Sequence, residues 1–307
     1  SMFTNVYVND VFSCHDVKSI FMIPQMLYEQ GLVEVIFKKF AKVGYVNASE
    51  NWDTWNTIVN SLQITENPIK IAMVGKYVTL ADSYVSVNEA LKHATASINS
   101  SVSIDWIDSE TLNGNIKKLS EYQGILVPGG FGTRGSEGII ETASFALEQN
   151  IPFLGICFGF QLAAVSFGRS ICKLEEANST EISADTAHPI IALLPEQEGV
   201  SDMGGSLRLG ANEIKINPDT LASKLYNSNK ISRRHRHRYE FNTNFREQFK
   251  ENGMIFSGES DNGKRMEILE VPSHKFFLGV QFHPEFNSRP GFPEESFKSF
   301  VTAASQN

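Results

Sequence analysis

From Ile69 onward, short apolar runs alternate with stretches that have the periodicity of amphipathic helices. The apolar runs lie at 69–75, 101–108, 124–130 and 151–157, and the helical patterns lie at 83–99, 139–150 and 158–168. Apolar strands separated by helices are typical of parallel sheets that are covered on both faces. The sequence therefore predicts an α/β fold with a mostly parallel central sheet flanked by helices. In such a sheet the functional side chains lie at the carboxyl ends of the strands.

The preceding part of the chain has a different pattern. Residues 13–45 carry apolar side chains at helical intervals, interrupted at Gly31, and residues 46–68 are polar and end in Asn67-Pro68. We expect helices on either side of Gly31, because glycine commonly ends a helix, followed by a connecting helix and a linker. The predicted domains are 1–67 and 68–307.

Composition excludes several classes of protein. The 307 residues carry a formal net charge of −8, which argues against general nucleic-acid binding. Three cysteines, an odd number without CxxC spacing, indicate free thiols in a reducing compartment. We find no apolar run near the roughly 20 residues that span a bilayer, and no signal peptide. We expect a cytoplasmic protein that does not bind a membrane.

Cys157 has the sequence context of a nucleophile. The segment Gly155-Ile156-Cys157-Phe158-Gly159 stands where an apolar strand passes into a helix, as in a nucleophile elbow. The helix N-terminus favours a thiolate, and the N–H after the nucleophile can face a developing oxyanion. The alternative is a buried cysteine of the core, the usual place of a free thiol. Cys14 and Cys172 lack this context, and we interpret them as structural.

A candidate base follows in Gln281-Phe282-His283-Pro284-Glu285-Phe286. A cysteine hydrolase needs a histidine base and a group that orients it. Proline favours an extended conformation at His283, and in an extended segment Glu285 would lie beside the imidazole. The alternative is a surface His-Pro turn with a neighbouring carboxylate.

Two further segments have competing interpretations. Residues 130–135 match GxGxxG after a strand, but the next strand ends in Cys157 instead of the acid that a dinucleotide site needs. We interpret Gly129-Gly130 as backbone close to the nucleophile that supplies a second oxyanion donor. The basic run 233–238 is either a solvated face or an anion clamp with an arginine for a substrate carboxylate. A metal site there is disfavoured, because cationic neighbours oppose a cation, and we predict no metal site.

Seven stretches together resemble the class I glutamine amidotransferases, and within them the glutaminase domains of the CTP synthase family. They are VGKYVTLADSYVSVNEALKHA, VPGGFGTRGSEG, GICFGFQ, EEANSTE, MGGSLRLG, RHRHRYE and QFHPEF, in family order over roughly residues 69–287. The stretch HDVKSIFMIPQMLYEQGLV at 15–33 also resembles the end of that family's synthetase domain. The resemblance thus implies a glutaminase domain preceded by the tail of a synthetase domain.

The resemblance assigns roles to individual residues. It implies Cys157 as nucleophile, His283 as base and Glu285 as the orienting carboxylate, with oxyanion donors from Gly130 and Phe158. One departure is phenylalanine at 158 and 160, where leucine and methionine are usual in the family, and the extra bulk could change the shape of the pocket.

Other positions match the family's substrate and effector sites. Arg238 would pair with the α-carboxylate of L-glutamine and Glu181 with its α-amino group, together with Gln161 and the Tyr239 backbone. Arg134 and Glu137 fall where the family couples GTP binding to glutaminase activity. No GxxxxGK[ST] motif occurs, so the sequence has no phosphate-binding P-loop of that type.

For the intact enzyme, the resemblance implies ammonia transfer to a synthetase domain that uses ATP and Mg²⁺ to convert UTP to CTP. It also implies a homotetramer and filaments, with no cofactor in the glutaminase domain itself. Two alternatives stay open. One is a regulatory or assembly module, and the other is a stand-alone hydrolase of γ-glutamyl compounds with the same triad.

Overall fold

The computed structural model describes residues 5–40, 49–64, 66–76, 78, 81–112, 114–193 and 207–307. The chain divides into two compact units, Ser1–Ile64 and Thr65–Asn307. Of the sequence stretches singled out above, residues 203–206 of MGGSLRLG and Tyr77, Thr79 and Leu80 of the first stretch lie outside the described residues.

The first unit is helical. Its helices are α1 (Ile23–Glu29), α2 (Leu32–Lys39) and α3 (Ser49–Ser61). Gly31 separates α1 from α2 with a φ of 81°, as the sequence predicts. The α3 side chain Trp55 donates from Nε1 to the carbonyl of Phe21 over 3.1 Å. Among the described residues no single helix is long and apolar enough to cross a membrane, although the bent pair Ile20–Glu29 and Leu32–Lys39 together passes that test by length and composition.

The second unit is built on a nine-stranded sheet. Its strands, with those of a separate three-stranded sheet, are β1 (Ile69–Gly75), β2 (Val102–Asp108), β3 (Gly124–Val127), β4 (Phe153–Ile156), β5 (Ala177–Ser179), β6 (His188–Ala192), β7 (Arg208–Ile216), β8 (Lys230–His237), β9 (Glu240–Phe241), β10 (Ile255–Ser260), β11 (Arg265–Glu270) and β12 (Phe277–Val280). The helices are α4 (Val85–Ala96), α5 (Ser136–Gln149), α6 (Phe158–Ser170), α7 (Leu221–Tyr226), α8 (Arg246–Glu251) and α9 (Glu295–Ser305). The large sheet has the order β2-β1-β3-β4-β12-β11-β10-β7-β8, and β5-β6-β9 form the small one.

The parallel part of the large sheet is the one that the sequence predicts. Strands β2, β1, β3, β4 and β12 pair in parallel, and β11, β10, β7 and β8 continue the sheet in antiparallel pairing. The α/β fold class is therefore confirmed. The antiparallel extension was not foreseen. Antiparallel neighbours need no crossover helix. The connection between β10 and β11 is short, and α7, between β7 and β8, has only 6 residues, so this region lacks the long helical pattern that marks a parallel unit.

Each face of the sheet packs against its own hydrophobic layer. On β1, Ala72 and Val74 belong to one cluster, whereas Ile71 and Met73 belong to the other, as the two-residue period of a strand requires. Helices α5 and α6 cover the first face, and α4 and α9 cover the second. Burial on both faces explains why these strands read as continuous apolar runs.

The start of α6 lies unusually close to the strands beneath it. A Cβ on Gly155 would come within 2.8 Å of the carbonyl carbon and oxygen of Gly159. A Cβ on Gly159 would collide with the carbonyl oxygen of Val127 at the end of β3. Both positions therefore need glycine, and together they bring the helix N-terminus to the carboxyl edge of the sheet.

This close approach predicts a specific loss of stability in Gly159→Ala. The new methyl group meets backbone that cannot rotate away, so we expect the free energy of unfolding to fall by about 1–3 kcal/mol. The matched control is Gly168→Ala in the same helix, where the nearest atom is the Ala177 Cβ at 3.3 Å. Thermal and urea unfolding of both variants measure the difference. If both variants lose the same free energy of unfolding, the close contact between Gly159 and Val127 is not what makes glycine necessary at position 159.

Candidate active site

Cys157 lies at the turn between β4 and α6. Its φ of 53° and ψ of −99° are strained for a residue with a side chain. The backbone N–H donates to the carbonyl of Val280 on β12 over 2.8 Å, and the residue is 4% exposed. The turn is thus bound to the neighbouring strand, and the sulfur lies at the N-terminus of α6, 3.8 Å from the carbonyl oxygen of Arg236. This is the geometry of a nucleophile elbow.

His283 and Glu285 form a hydrogen-bonded pair after β12. The distance from His283 Nδ1 to Glu285 Oε1 is 2.8 Å, and because an ionised carboxylate only accepts, Nδ1 carries the proton. The local conformation differs from our expectation. Residues Pro284–Asn287 form a 3-10 turn that begins directly after His283, so the pair meets through a tight turn and not through alternation along an extended segment. Proline fixes the φ that suits the first position of such a turn.

The charge of His283 depends on its two neighbours. Burial opposes the imidazolium, but the charge and hydrogen-bonding capacity of Cys157 and the Glu285 carboxylate outweigh it and raise the pKa of His283 to about 10. The arrangement therefore places a protonated imidazole, which can donate a proton, beside the sulfur of Cys157 at neutral pH.

The glycine turn after β3 lies against both groups. A Cβ on Gly129 would be 3.0 Å from His283 Cε1 and 3.8 Å from the Cys157 Cβ. A Cβ on Gly130 would be 3.5 Å from the Phe158 ring. The peptide backbone of this turn thus runs beside Cys157 and His283.

The predicted substrate-holding residues line one cavity with Cys157 and His283, the predicted nucleophile and base. This cavity, of about 580 Å³, takes in Cys157, His283, Gln161, Glu181, Arg238 and Tyr239. The side chains of Phe158 and Phe160 are at most 1% exposed and pack in the core, so their extra bulk does not shape the cavity. A larger cavity of about 800 Å³, lined by Glu213 and Lys215 among others, contains none of these groups.

Hydrogen bonds fix which atoms in the cavity remain for a ligand. Gln161 donates from Nε2 to the carbonyl of Tyr239 over 2.9 Å and to Gln281 Oε1 over 3.2 Å, which uses both of its donors. The Tyr239 carbonyl also accepts from His237 Nδ1 over 3.1 Å, so a further backbone donor at Tyr239 would be its N–H. Glu181 accepts from the Gly132 N–H over 2.8 Å and, as a carboxylate, can accept more than one bond.

The basic run 233–238 is not a simple solvated face. It lies on β8, where His235 and His237 are buried and Arg234 and Arg236 are exposed. Burial and the nearby Arg208 lower the pKa of His235 to about 2 and of His237 to about 3, so both rings are neutral. Since His237 Nδ1 donates to Tyr239, its Nε2 accepts from His235 Nδ1 over 2.9 Å. The two histidines share the strand face of buried Ile231, a two-residue period that could have identified them.

Arg134 and Glu137 lie outside the cavity, in the turn after β3 and the first turn of α5. Arg134 pairs with Glu110 over 2.9 Å, and Glu137 pairs with Arg169 over 2.6 Å. Lys76 is a further buried residue that the sequence did not single out. Its ammonium group is 2.8 Å from the carbonyl oxygen of Phe131, next to the cavity.

The fold and this site define the class of the protein. Residues 79–303 match the family model described as glutamine amidotransferase class-I. The glutaminase domain of CTP synthase from Trypanosoma brucei, solved with bound acivicin, has a TM-score of 0.74 and 35% identity, over 78% of this chain and 94% of that one. The chain therefore belongs to the class I glutamine amidotransferases, among the glutaminase domains of CTP synthases.

The curated relatives are named for the whole enzyme. CTP synthase of Staphylococcus epidermidis is 46% identical over 308 residues, which cover 99% of this chain and 57% of the relative. CTP synthase of Archaeoglobus fulgidus is 45% identical over 304 residues, covering 99% of this chain and 56% of the relative. The chain thus spans little more than half the length of these relatives. The predicted family and the predicted fold are both confirmed.

The paired geometry at His283 leads to a titration experiment with Glu285→Gln. Without the carboxylate, the pKa of His283 should fall from about 10 by about 1–3 pH units, because one of its stabilising charges is lost. NMR of ¹³C-labelled histidines, assigned with His283→Gln, measures the midpoint, and Glu295→Gln serves as the control. An unchanged midpoint would contradict the role of Glu285.

The raised pKa of His283 also makes the free energy of unfolding depend on pH. A folded-state pKa above the ordinary histidine value means that the charged ring stabilises the native state. For His283 this contribution is complete below about pH 6.5 and is lost as the pH rises to about 10. The difference in unfolding free energy between the wild type and Glu285→Gln should shrink over that range.

Proposed function

We propose that this chain hydrolyses L-glutamine to glutamate and ammonia through a triad of Cys157, His283 and Glu285. The observation that carries the proposal is that a strained, buried cysteine and a carboxylate-bound histidine of raised pKa open into one cavity. Perturbed groups that converge in a cavity are characteristic of active sites. Membership of the glutamine amidotransferases supports the same chemistry.

In the first step the Cys157 thiolate attacks the amide carbon of the glutamine side chain. A C–S bond forms, and the carbonyl electron pair becomes an oxyanion. The imidazolium of His283 then gives its proton to the departing nitrogen, so that the C–N bond breaks and ammonia leaves a thioester. The neutral imidazole next removes a proton from water, which attacks the thioester and releases glutamate and the thiolate. Glu285 holds the imidazole in one tautomer throughout.

The oxyanion would be stabilised by the backbone N–H groups of Gly130 and Phe158. The Phe158 N–H belongs to the first turn of α6, so it has no acceptor within the helix. Gly130 lies opposite, against the Phe158 ring. A single donor of this kind contributes about 3–4 kcal/mol to transition-state stabilisation in well-studied hydrolases.

Charged groups at the mouth of the cavity match the amino acid end of glutamine. We assign Arg238 to the α-carboxylate and Glu181 to the α-ammonium group, since both line the cavity that contains the nucleophile. Gln161 offers its Oε1, and Tyr239 offers its backbone N–H. A guanidinium and a carboxylate placed apart would select a zwitterionic α-amino acid over a simple amide.

In the intact enzyme the ammonia would pass to a synthetase domain that aminates UTP with ATP and Mg²⁺. The names and coverage of the relatives support this context, with residues 1–67 as the end of that domain. GTP would act as an effector through Arg134 and Glu137. Homotetramers and filaments, and a cytoplasmic location, belong to the same proposal. The likeness to CTP synthases makes a stand-alone γ-glutamyl hydrolase less well supported.

The first experiment uses the chloroketone analogue of glutamine, followed by intact-protein and peptide mass spectrometry. We expect one adduct at Cys157, prevented by excess glutamine and absent in Cys157→Ala. Burial raises the pKa of Cys172 to about 11, so its thiol should react slowly at neutral pH. Cys14 is exposed, and Cys14→Ser removes its background reaction. Labelling of Cys14 and Cys172 that glutamine does not affect would contradict the proposal.

The assignment of Arg238 has its own test. Loss of a charge-assisted hydrogen bond costs about 1.5–3 kcal/mol. In Arg238→Met, the glutamine concentration that half-protects Cys157 from labelling should therefore rise by about 10- to 100-fold. Arg234→Met removes the same charge from the exposed face of β8 and is the matched control. A similar change in both variants would indicate a general electrostatic effect and not a substrate contact.

A further inference from the structure

Lys76 is a buried lysine at the end of β1. It is 4% exposed, and its ammonium group donates to the carbonyl of Phe131 over 2.8 Å and, by a shorter contact, to the carbonyl of Gly132. The same nitrogen lies 4.2 Å from the centre of the Phe158 ring, in a cation–π contact. One cation therefore joins the turn that follows Gly130 to the residue that follows the nucleophile.

The contacts fix one peptide plane from both ends. The carbonyl of Phe131 and the N–H of Gly132 belong to the same peptide unit. Lys76 binds the carbonyl, and Glu181 accepts from the N–H over 2.8 Å. A planar peptide held at both ends cannot rotate. Gly132 adopts a φ of 78°, and the two glycines of this turn, Gly130 and Gly132, would otherwise leave it many conformations.

We infer that Lys76 is a positioning residue that holds the two oxyanion-donor segments, at Gly130 and Phe158, in their catalytic orientation. It does not touch the reacting atoms, because its partners are carbonyl groups and an aromatic ring. The inference rests on the proposed function, since it presumes an oxyanion at these donors. It also gives Glu181 a second role, because the carboxylate assigned to the substrate ammonium is bound to the same peptide.

The charge of Lys76 is held in a finely balanced environment. Burial lowers its pKa to about 8, the charges of Glu181 and Glu110 raise the pKa, and the charge of Arg134 lowers it. Arg134 also donates to the backbone carbonyl of Lys76 over 2.7 Å. A lysine used only as filler in this position could be replaced by an apolar side chain of similar length without loss of catalysis.

The test compares Lys76→Met and Lys76→Arg with two reagents for Cys157. The chloroketone analogue of glutamine reacts through a carbonyl adduct and needs the oxyanion donors, whereas iodoacetamide alkylates the sulfur by direct displacement and does not. In Lys76→Met we expect chloroketone labelling and the kcat for glutamine hydrolysis to fall by about 100-fold, with KM changed little. Iodoacetamide labelling should stay within about 3-fold of wild type, since the nucleophile and base are intact.

Lys76→Arg retains the charge and the hydrogen-bond donors, so it should recover most of the chloroketone reactivity. In wild type, the ratio of chloroketone to iodoacetamide rates should decline above about pH 8 as the ammonium loses its proton. In Lys76→Arg this decline should move to higher pH, because a guanidinium stays charged. Lys92→Met, an exposed lysine paired with Glu89 on α4, is the control.

The outcomes separate the two proposals. If the wild type reacts selectively at Cys157 but Lys76→Met keeps its chloroketone rate, the inference about Lys76 is wrong and the proposed function stands. The inference about Lys76 is also wrong if the ratio of chloroketone to iodoacetamide rates declines at the same pH in Lys76→Arg as in wild type. This measurement decides the question even if Lys76→Met fails to fold. Without glutamine-protected labelling of Cys157 in wild type, it is the proposed function that fails.

Discussion

The close approach between the first turn of α6 and the ends of β3 and β4 sets the geometry of the whole site. It exists because Gly155 and Gly159 have no Cβ, and it brings the helix N-terminus to the carboxyl edge of the sheet. Cys157 sits between them with a strained backbone, anchored to β12 through Val280. Since β12 also leads into His283, the strand that binds the cysteine backbone positions the candidate base. Strand pairing thus converts two distant segments into one constellation.

Around this constellation, buried polar groups are stabilised mainly by each other. His283 is charged because Cys157 and Glu285 face it, while His235 and His237 are neutral because Arg208 and burial oppose a second cation. Behind them, burial and the neighbouring Glu267 raise the pKa of Glu240 to about 7, although it accepts from Arg265 over 2.6 Å. A buried network of this kind is costly unless its members remain paired. This network orients the backbone at the cavity, since the hydrogen bonds that run from His235 through His237 end at the Tyr239 carbonyl.

The sequence predicted the elements that carry a strong period. Several elements occur close to their predicted positions, namely the strands β1, β3 and β4 and the helices α5 and α6. Burial of the strands on both faces requires continuous apolar runs, which are easily recognised in a sequence. The glycine turn beside the nucleophile followed from the same pattern. The antiparallel strands β7, β8, β10 and β11 were predicted only as a region of short strands, since antiparallel pairing needs no long crossover helix between neighbours and α7, between β7 and β8, has only 6 residues. The prediction of an extended segment after His283 was wrong. Residues Pro284–Asn287 form a 3-10 turn, because proline also suits the start of a tight turn.

The sequence by itself determined the family and the fold class, because both depend on local motifs and on periodicity along the chain, and the same motifs predicted the candidate triad. The tertiary structure decided which atoms of these residues remain for a ligand. It alone shows that the Tyr239 carbonyl is already occupied, that Phe158 and Phe160 point into the core, and that Lys76 and Glu181 hold one peptide from opposite ends. The bonds of Gln161 to Tyr239, of Lys76 to Phe131 and of Gly132 to Glu181 join residues 78, 55 and 49 positions apart. Hydrogen bonding and charge compensation between such residues arise only when the sheet is assembled.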